Sequence, residues 1–203
     1  MRTMRLKSII TLSILFVGCQ FINGQKNIPN KRVGITFSSF GDNELVQFAS
    51  LDGAASYSSK NFYTFGVNYI HPLNSWLDIE TGVEYAKHTV TVHPNLPPDM
   101  DDSPRNVNFS LINIPITVRA NFLHFFFVNG GMLLGFDADL SSPIEPGVGA
   151  LLGIGAQYEF KNGIGLFVNP YLKAHALIPF SPESYPLRML ESGVRVGVTY
   201  GLK

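Results

Sequence analysis

Between Leu111 and Phe122 apolar and polar residues alternate almost one by one. Ile112, Ile114, Ile116, Val118, Ala120 and Phe122 interleave with Asn113, Pro115, Thr117, Arg119 and Asn121. A period of two puts the two sets on opposite faces of an extended strand, and helical spacing fits neither set. The period recurs from Trp76 to Tyr85, where Leu77, Ile79, Val83 and Tyr85 oppose Asp78, Glu80, Gly82 and Glu84. It returns near the end, where Leu190, Val194, Val196, Val198, Tyr200 and Leu202 oppose Glu191, Gly193, Arg195, Gly197 and Thr199.

Weaker alternation marks five more segments: Arg32 to Phe40, Phe62 to Ile70, Phe125 to Phe136, Val148 to Phe160 and Ile164 to Lys173. Each is close to the ten or so residues with which a tilted strand crosses a bilayer. The connections alternate in length. Long loops at Gly41 to Ser59 and Thr89 to Val107, and medium ones at Asp137 to Gly147 and Ala176 to Pro186, alternate with short turns at Pro72 to Ser75, Leu123-His124 and Lys161-Asn162-Gly163. Asn-Gly is a strong hairpin signal. The pattern predicts an all-β fold, an eight-stranded antiparallel up-and-down transmembrane β-barrel. Both termini then fall on the short-turn, periplasmic side, with the long loops outside.

The N-terminus sets the compartment. Arg2, Arg5 and Lys7 precede an apolar stretch from Ile9 to Val17 that is too short for a stop-transfer helix, the pattern of a secretory signal peptide. Cleavage near Gln25 divides the chain into a leader over 1–25 and one barrel domain over 26–203. Cys19, the single cysteine, lies within the leader. Two readings of it stay open: removal with the leader, or lipidation as the first residue of a lipoprotein. Removal leaves an exported chain with no disulfide and no cysteine chemistry.

Without the three leader cations the chain carries twelve basic and fifteen acidic side chains, which gives no electrostatic footprint for nucleic acid. Its glycines, aromatics and low charged fraction suit strands in lipid and also suit a soluble sandwich, so the alternation and the loops carry the membrane reading. A basic side chain facing lipid at mid-bilayer costs roughly 2–4 kcal/mol, so the charged faces turn inward. That gathers Asp78, Glu80, Glu84, Glu159 and Glu191 with Arg119, Lys173 and Arg195 inside the barrel. Eight strands enclose just enough space for side chains, so these groups are expected to interlock and leave no open pore.

Aromatic residues mark the strand ends. Tyr69, Trp76, Phe122, Phe125, Tyr158, Phe160 and Tyr200 fall near the short turns, and Phe40, Tyr85, Phe109 and Phe136 near the long loops, as headgroup girdles would. Pro115 and Pro170 lie inside predicted strands, where each removes a ladder hydrogen bond, so a bulge is expected at each and a break is one reading of Pro170.

The chain resembles the PorT-like small outer-membrane β-barrels of Bacteroidota. The resemblance rests on Ile112-Asn113-Ile114-Pro115-Ile116 with Arg119, on Leu77-Asp78-Ile79-Glu80-Thr81-Gly82-Val83-Glu84-Tyr85, and on Val128-Asn129-Gly130-Gly131. It implies an outer-membrane location for the whole mature chain and, for some members, an association with protein secretion or gliding. It carries over no catalytic residues. Barrels of this kind often end in an aromatic residue, whereas this chain ends Tyr200-Gly201-Leu202-Lys203, which leaves Tyr200 to serve as the insertion signal.

No phosphate loop, His-Glu-x-x-His, Gly-x-Ser-x-Gly or cysteine ligand set is present. No cofactor, metal or catalytic residue is therefore expected. His88 and His93 flank a loop carrying Asp99, Asp101 and Asp102, which makes a cation site one reading of that loop. A lipid-modifying enzyme would need His and Ser together near one rim; His175 and Ser181 or Ser184 lie near the same outer end, but no spacing makes the pairing specific. A soluble lipocalin-like barrel would invert the faces. The expectation is a non-enzymatic outer-membrane barrel, an anchor in lipid whose external loops, chiefly Gly41 to Ser59 and Thr89 to Val107, meet a protein partner.

Overall fold

The computed structural model describes residues 30–46, 56–93, 103–139, 142–181 and 187–202. The proposed leader, Cys19 and residues 47–55 and 94–102 of the two longest loops, including Asp99, Asp101 and Asp102, lie outside the described residues. Eight strands are formed among those described: β1 (Arg32–Val46), β2 (Ser56–Pro72), β3 (Leu77–His93), β4 (Arg105–Phe122), β5 (Phe126–Asp137), β6 (Gly147–Glu159), β7 (Ile164–Pro179) and β8 (Arg188–Gly201). Each is antiparallel to the next, and β1 pairs with β8 to close the ring. Closure leaves no sheet edge along the body of the barrel, which is what backbone groups surrounded by lipid require.

The period-two pattern becomes an inside and an outside. Asn113, Thr117, Arg119 and Asn121 of β4 are buried, while Ile112, Ile116 and Val118 are exposed. The outward face is apolar over most of the barrel, with Ile35, Phe65, Val83, Leu152, Leu166, Leu172 and Val198 among its exposed side chains. Bulky inward side chains fit because the wall opposite them is small. A Cβ on Gly155 would lie 2.3 Å from the Phe127 ring, and one on Gly197 would lie 2.4 Å from the Phe167 ring. Alternating small and large residues in this way is how a narrow barrel is filled.

Several strands reach further than the alternation predicts. β1 continues to Val46, β2 begins at Ser56, β3 and β4 extend to His93 and from Arg105, and β7 runs to Pro179, so the outer loops are shorter than expected. Cross-strand pairs sustain the extension: Thr89 Oγ1 donates to Asn108 Oδ1 at 2.7 Å, and Thr91 Oγ1 to Asn106 Oδ1 at 2.9 Å. These threonines and asparagines share the outward face while Val90, Val107 and Phe109 beside them turn inward, so the alternation inverts there although the ladder continues.

Neither strand proline carries a bulge. Register is the same on both sides of Pro115 in the β3–β4 ladder and of Pro170 in the β6–β7 ladder, and Pro170 leaves β7 unbroken. At Pro115 the carbonyl is held by Thr81, whose Oγ1 donates to it at 2.9 Å. The register shifts fall elsewhere, between Ser39 and Asp42 of β1, between Ser59 and Asn61 of β2, and near Ala176 of β7. Phe40 and Ala176 hold positive φ at two of these places.

The short turns follow ordinary hairpin chemistry at one site and depart from it at another. Asn162-Gly163 closes β6 to β7 with Gly163 at φ 84°, its N–H donating to the Phe160 carbonyl at 3.0 Å. The β4–β5 turn puts Leu123 and His124 at φ 50° and 63°. A side chain in that region costs roughly 1–2 kcal/mol that glycine avoids. His124→Gly is therefore expected to raise the urea midpoint of the folded barrel, by about 1 kcal/mol of stability; an unchanged or lower midpoint would mean the histidine side chain offsets the strain.

Aromatic side chains gather at the short-turn end, with Phe122 stacked on Phe126, Phe125 on Tyr158, and Tyr158 edge-on to Phe160. At the other end Phe40, Tyr85 and Phe136 face outward, and Phe136 meets Phe180. Phe109 departs from the expected girdle: it is fully buried inside the barrel. There it joins Leu45, Val90, Leu111, Ala176 and Met189 in an apolar cap across the outer mouth. Ile144 completes the cap from the β5–β6 connection, where Ser142 brackets it by accepting from the Ile144 N–H and donating to its carbonyl.

Candidate functional site in the barrel interior

Beneath the apolar cap a column of ion pairs runs down the barrel. At the short-turn end Arg32 meets Asp78 at 2.8 Å, and Asn121 donates to the same carboxylate oxygen at 2.8 Å. Gln157 links this layer to the next. Its carbonyl accepts from Arg32 and Arg119, and its amide donates to Asn121 at 3.0 Å.

Glu80 forms the second layer, lying 3.0 Å from Arg195 and 3.4 Å from Arg119, with Asn68 donating to it at 3.0 Å. The Arg119 guanidinium also lies flat on the Phe127 ring, 3.5 Å from its centre. A planar cation that stacks and donates at once is what arginine supplies and lysine does not. An asparagine ladder continues from here, with Arg195 donating to Asn169 at 3.1 Å and Asn169 to Asn129 at 3.3 Å.

Lys173 bridges the third and fourth layers, 2.6 Å from Glu84 and 3.6 Å from Glu191. Glu191 also accepts from Tyr171 at 2.6 Å and faces His175 at 3.2 Å and His88 at 3.6 Å. His88 is stacked between Phe62 and Phe109, and its other ring nitrogen lies 2.8 Å from the Asn43 amide. Among the described residues four buried carboxylates, Asp78, Glu80, Glu84 and Glu191, face four buried cations, Arg32, Arg119, Lys173 and Arg195, so these eight groups balance one another. Buried charges persist only in such compensated, hydrogen-bonded sets.

The structure thus brings together seven of the eight charged residues assigned to the interior from sequence: Asp78, Glu80, Glu84, Arg119, Lys173, Glu191 and Arg195. Glu159 differs. Its side chain is 49% exposed at the short-turn rim and reaches Arg32 only at 3.9 Å, because it is the last residue of β6. Arg32 takes the vacant role. The sequence-derived set held five acids and three bases, and that imbalance was the available sign of a missing cation.

His88 and His175 also sit inside, not on loops. His88 shares its face of β3 with Glu84, and His175 its face of β7 with Lys173, so strand parity carried this information. His88 is thereby removed from the acidic loop with which a cation site was considered. The two imidazoles converge on Glu191, but Lys173 and Tyr171 already engage that carboxylate, and no set of three His, Cys, Asp or Glu among the described residues is arranged to hold a metal ion. His175 is buried and bonded to Glu191, whereas Ser181 is exposed beyond the end of β7 and Ser184 lies outside the described residues. Nothing described joins them into a nucleophile and base.

No family model matches the chain, and no curated protein matches it in sequence. Several solved structures share its architecture, and two of them illustrate it. Outer membrane protein AlkL, determined by solid-state NMR in DMPC lipid bilayers, aligns with a TM-score of 0.54 and 17% identity, covering 87% of this chain and 92% of that one. Outer membrane protein OprG from Pseudomonas aeruginosa aligns with a TM-score of 0.52 and 10% identity, covering 88% of this chain and 99% of that one. At these identities the likeness establishes the fold, that of a small outer-membrane β-barrel.

Proposed function

We propose that the protein is a non-enzymatic, integral outer-membrane barrel, exported by its N-terminal signal peptide, whose body anchors it and whose external loops engage a protein partner. The observation that carries this reading is the pairing of an apolar outer wall with a charge-balanced interior. Together they suit a body built to sit in lipid without conducting. The ion pairs cross the lumen from β3 to β7 and β8, and the Ile144 cap lies above them. No open pore is expected from such packing.

Placement with the PorT-like barrels of Bacteroidota, and with it a link to protein secretion, is supported by the Ile112 to Ile116 and Leu77 to Tyr85 motifs. Strands β3 and β4 run to His93 and from Arg105, so the paired ladder leads directly into the second long loop, and surface loops are where contacts of this kind are usually made. In-cell cross-linking from a photoreactive group placed in the 94–103 segment is expected to trap one discrete partner, and deletion of that segment should abolish the adduct without altering outer-membrane levels. An identical cross-linking profile with and without the segment would defeat the docking role.

A further inference from the structure

On the lipid-facing wall, β6, β7, β8 and β1 leave a groove of about 470 Å³. Its floor is low because Ala150 and Ala174 are cross-strand partners, and its ridge is the neighbouring pair Leu152 and Leu172. At the β1 end stand Asp42 and Glu44, both exposed.

The bulge in β1 is what puts them there. Up to Ser38 the even-numbered residues face inward, with Arg32, Thr36 and Ser38 buried; after the bulge Asn43 and Leu45 are buried, and Asp42 and Glu44 turn out. Re-aiming side chains is a recurrent use of bulges. Asp42 pairs across the ladder with Ser192 and Glu44 with Leu190, about ten residues from the periplasmic end of each strand, which places the carboxylates near the outer limit of the apolar band. Neither forms an ion pair among the described residues; the Asp42 carboxylate accepts from the adjacent Asn43 N–H at 3.0 Å, and Ser192 Oγ donates to the Asp42 backbone carbonyl at 3.4 Å.

Two carboxylates at a lipid boundary, at the head of an apolar groove, call for a ligand that is cationic at one end and a hydrocarbon chain at the other. We propose that the groove holds one acyl chain of an amine-bearing membrane lipid, with its ammonium group seated between Asp42 and Glu44. Charge-assisted hydrogen bonds to the carboxylates select the amine headgroup, and a groove of this size lies within the range of small-molecule sites. The inference rests on the membrane reading of the barrel.

The test is native mass spectrometry of the full-length barrel released from nanodiscs containing equal phosphatidylethanolamine and phosphatidylglycerol. Retained lipid should favour phosphatidylethanolamine by about tenfold, a difference of about 1.4 kcal/mol. The double variant Asp42→Asn, Glu44→Gln should lose the preference, and Ala174→Leu, which fills the floor, should lose retention of both lipids. Equal retention of the two lipids by the wild-type barrel, or a preference untouched by the double variant, would overturn the proposal. A protein that fails to enter nanodiscs would instead refute the membrane reading itself, so the two failures are distinguishable.

Discussion

Lys173→Met should destabilise the barrel by about 3–5 kcal/mol, the cost of breaking a buried ion pair by removing one partner. The change removes the cation 2.6 Å from Glu84 and 3.6 Å from Glu191, and both carboxylates are buried. Arg195 stays within 3.8 Å of Glu84, so part of that charge is still compensated. Glu191 keeps only Tyr171 and the two histidines, so it is the group that suffers most. Methionine has a similar length, which separates lost charge from lost volume. Urea unfolding of the refolded barrel in lipid vesicles, followed by tryptophan fluorescence, measures the difference. A loss below about 1 kcal/mol would mean that the interior charges behave like exposed pairs.

Val196→Arg addresses the opposite face and separates two architectures. Val196 is exposed, pairs with Phe37 on β1 and Val168 on β7, and lies about midway along the apolar span. In a bilayer an arginine there is expected to cost about 2–4 kcal/mol. On a soluble barrel an exposed arginine would change stability by less than about 0.5 kcal/mol. The same vesicle unfolding assay reads the result, and a near-zero effect would favour the soluble alternative.

These two faces were also the most legible part of the sequence. Ile112 to Phe122 alternates cleanly because one face meets lipid and the other meets Glu80, Gln157 and the asparagines, and both environments are selective. At Thr89 to Thr91 and Asn106 to Asn108 the outward face turns polar while Val90, Val107 and Phe109 face the apolar cap, so the pattern inverts and the strands read as loops. Partnerships across the barrel were not legible in the same way. Glu159 and Arg32 both stand at strand ends, and only the tilt and register of the closed sheet decide that the arginine reaches Asp78 while the glutamate remains at the rim.

The bulge at Ser39 to Asp42 contains Gly41, a residue type that often marks a bulge, but Gly41 read as the start of a loop, and the reversal of facing after it in β1 was not legible. Pro115 and Pro170 carried the expected warning and kept their register, since a strand can forgo one donor where a neighbouring hydroxyl or an otherwise continuous ladder holds it. Ile144 was invisible for a different reason: a single apolar residue between prolines, in a connection, becomes part of the core only when the loop folds over the mouth.

The most direct test of the transmembrane barrel is gel mobility of the protein from a purified outer-membrane fraction, compared before and after boiling in detergent. A closed barrel whose backbone donors are satisfied within the ring should resist detergent unheated and change mobility only on boiling. Recovery in the soluble periplasmic fraction, with the same mobility heated and unheated, would contradict the account.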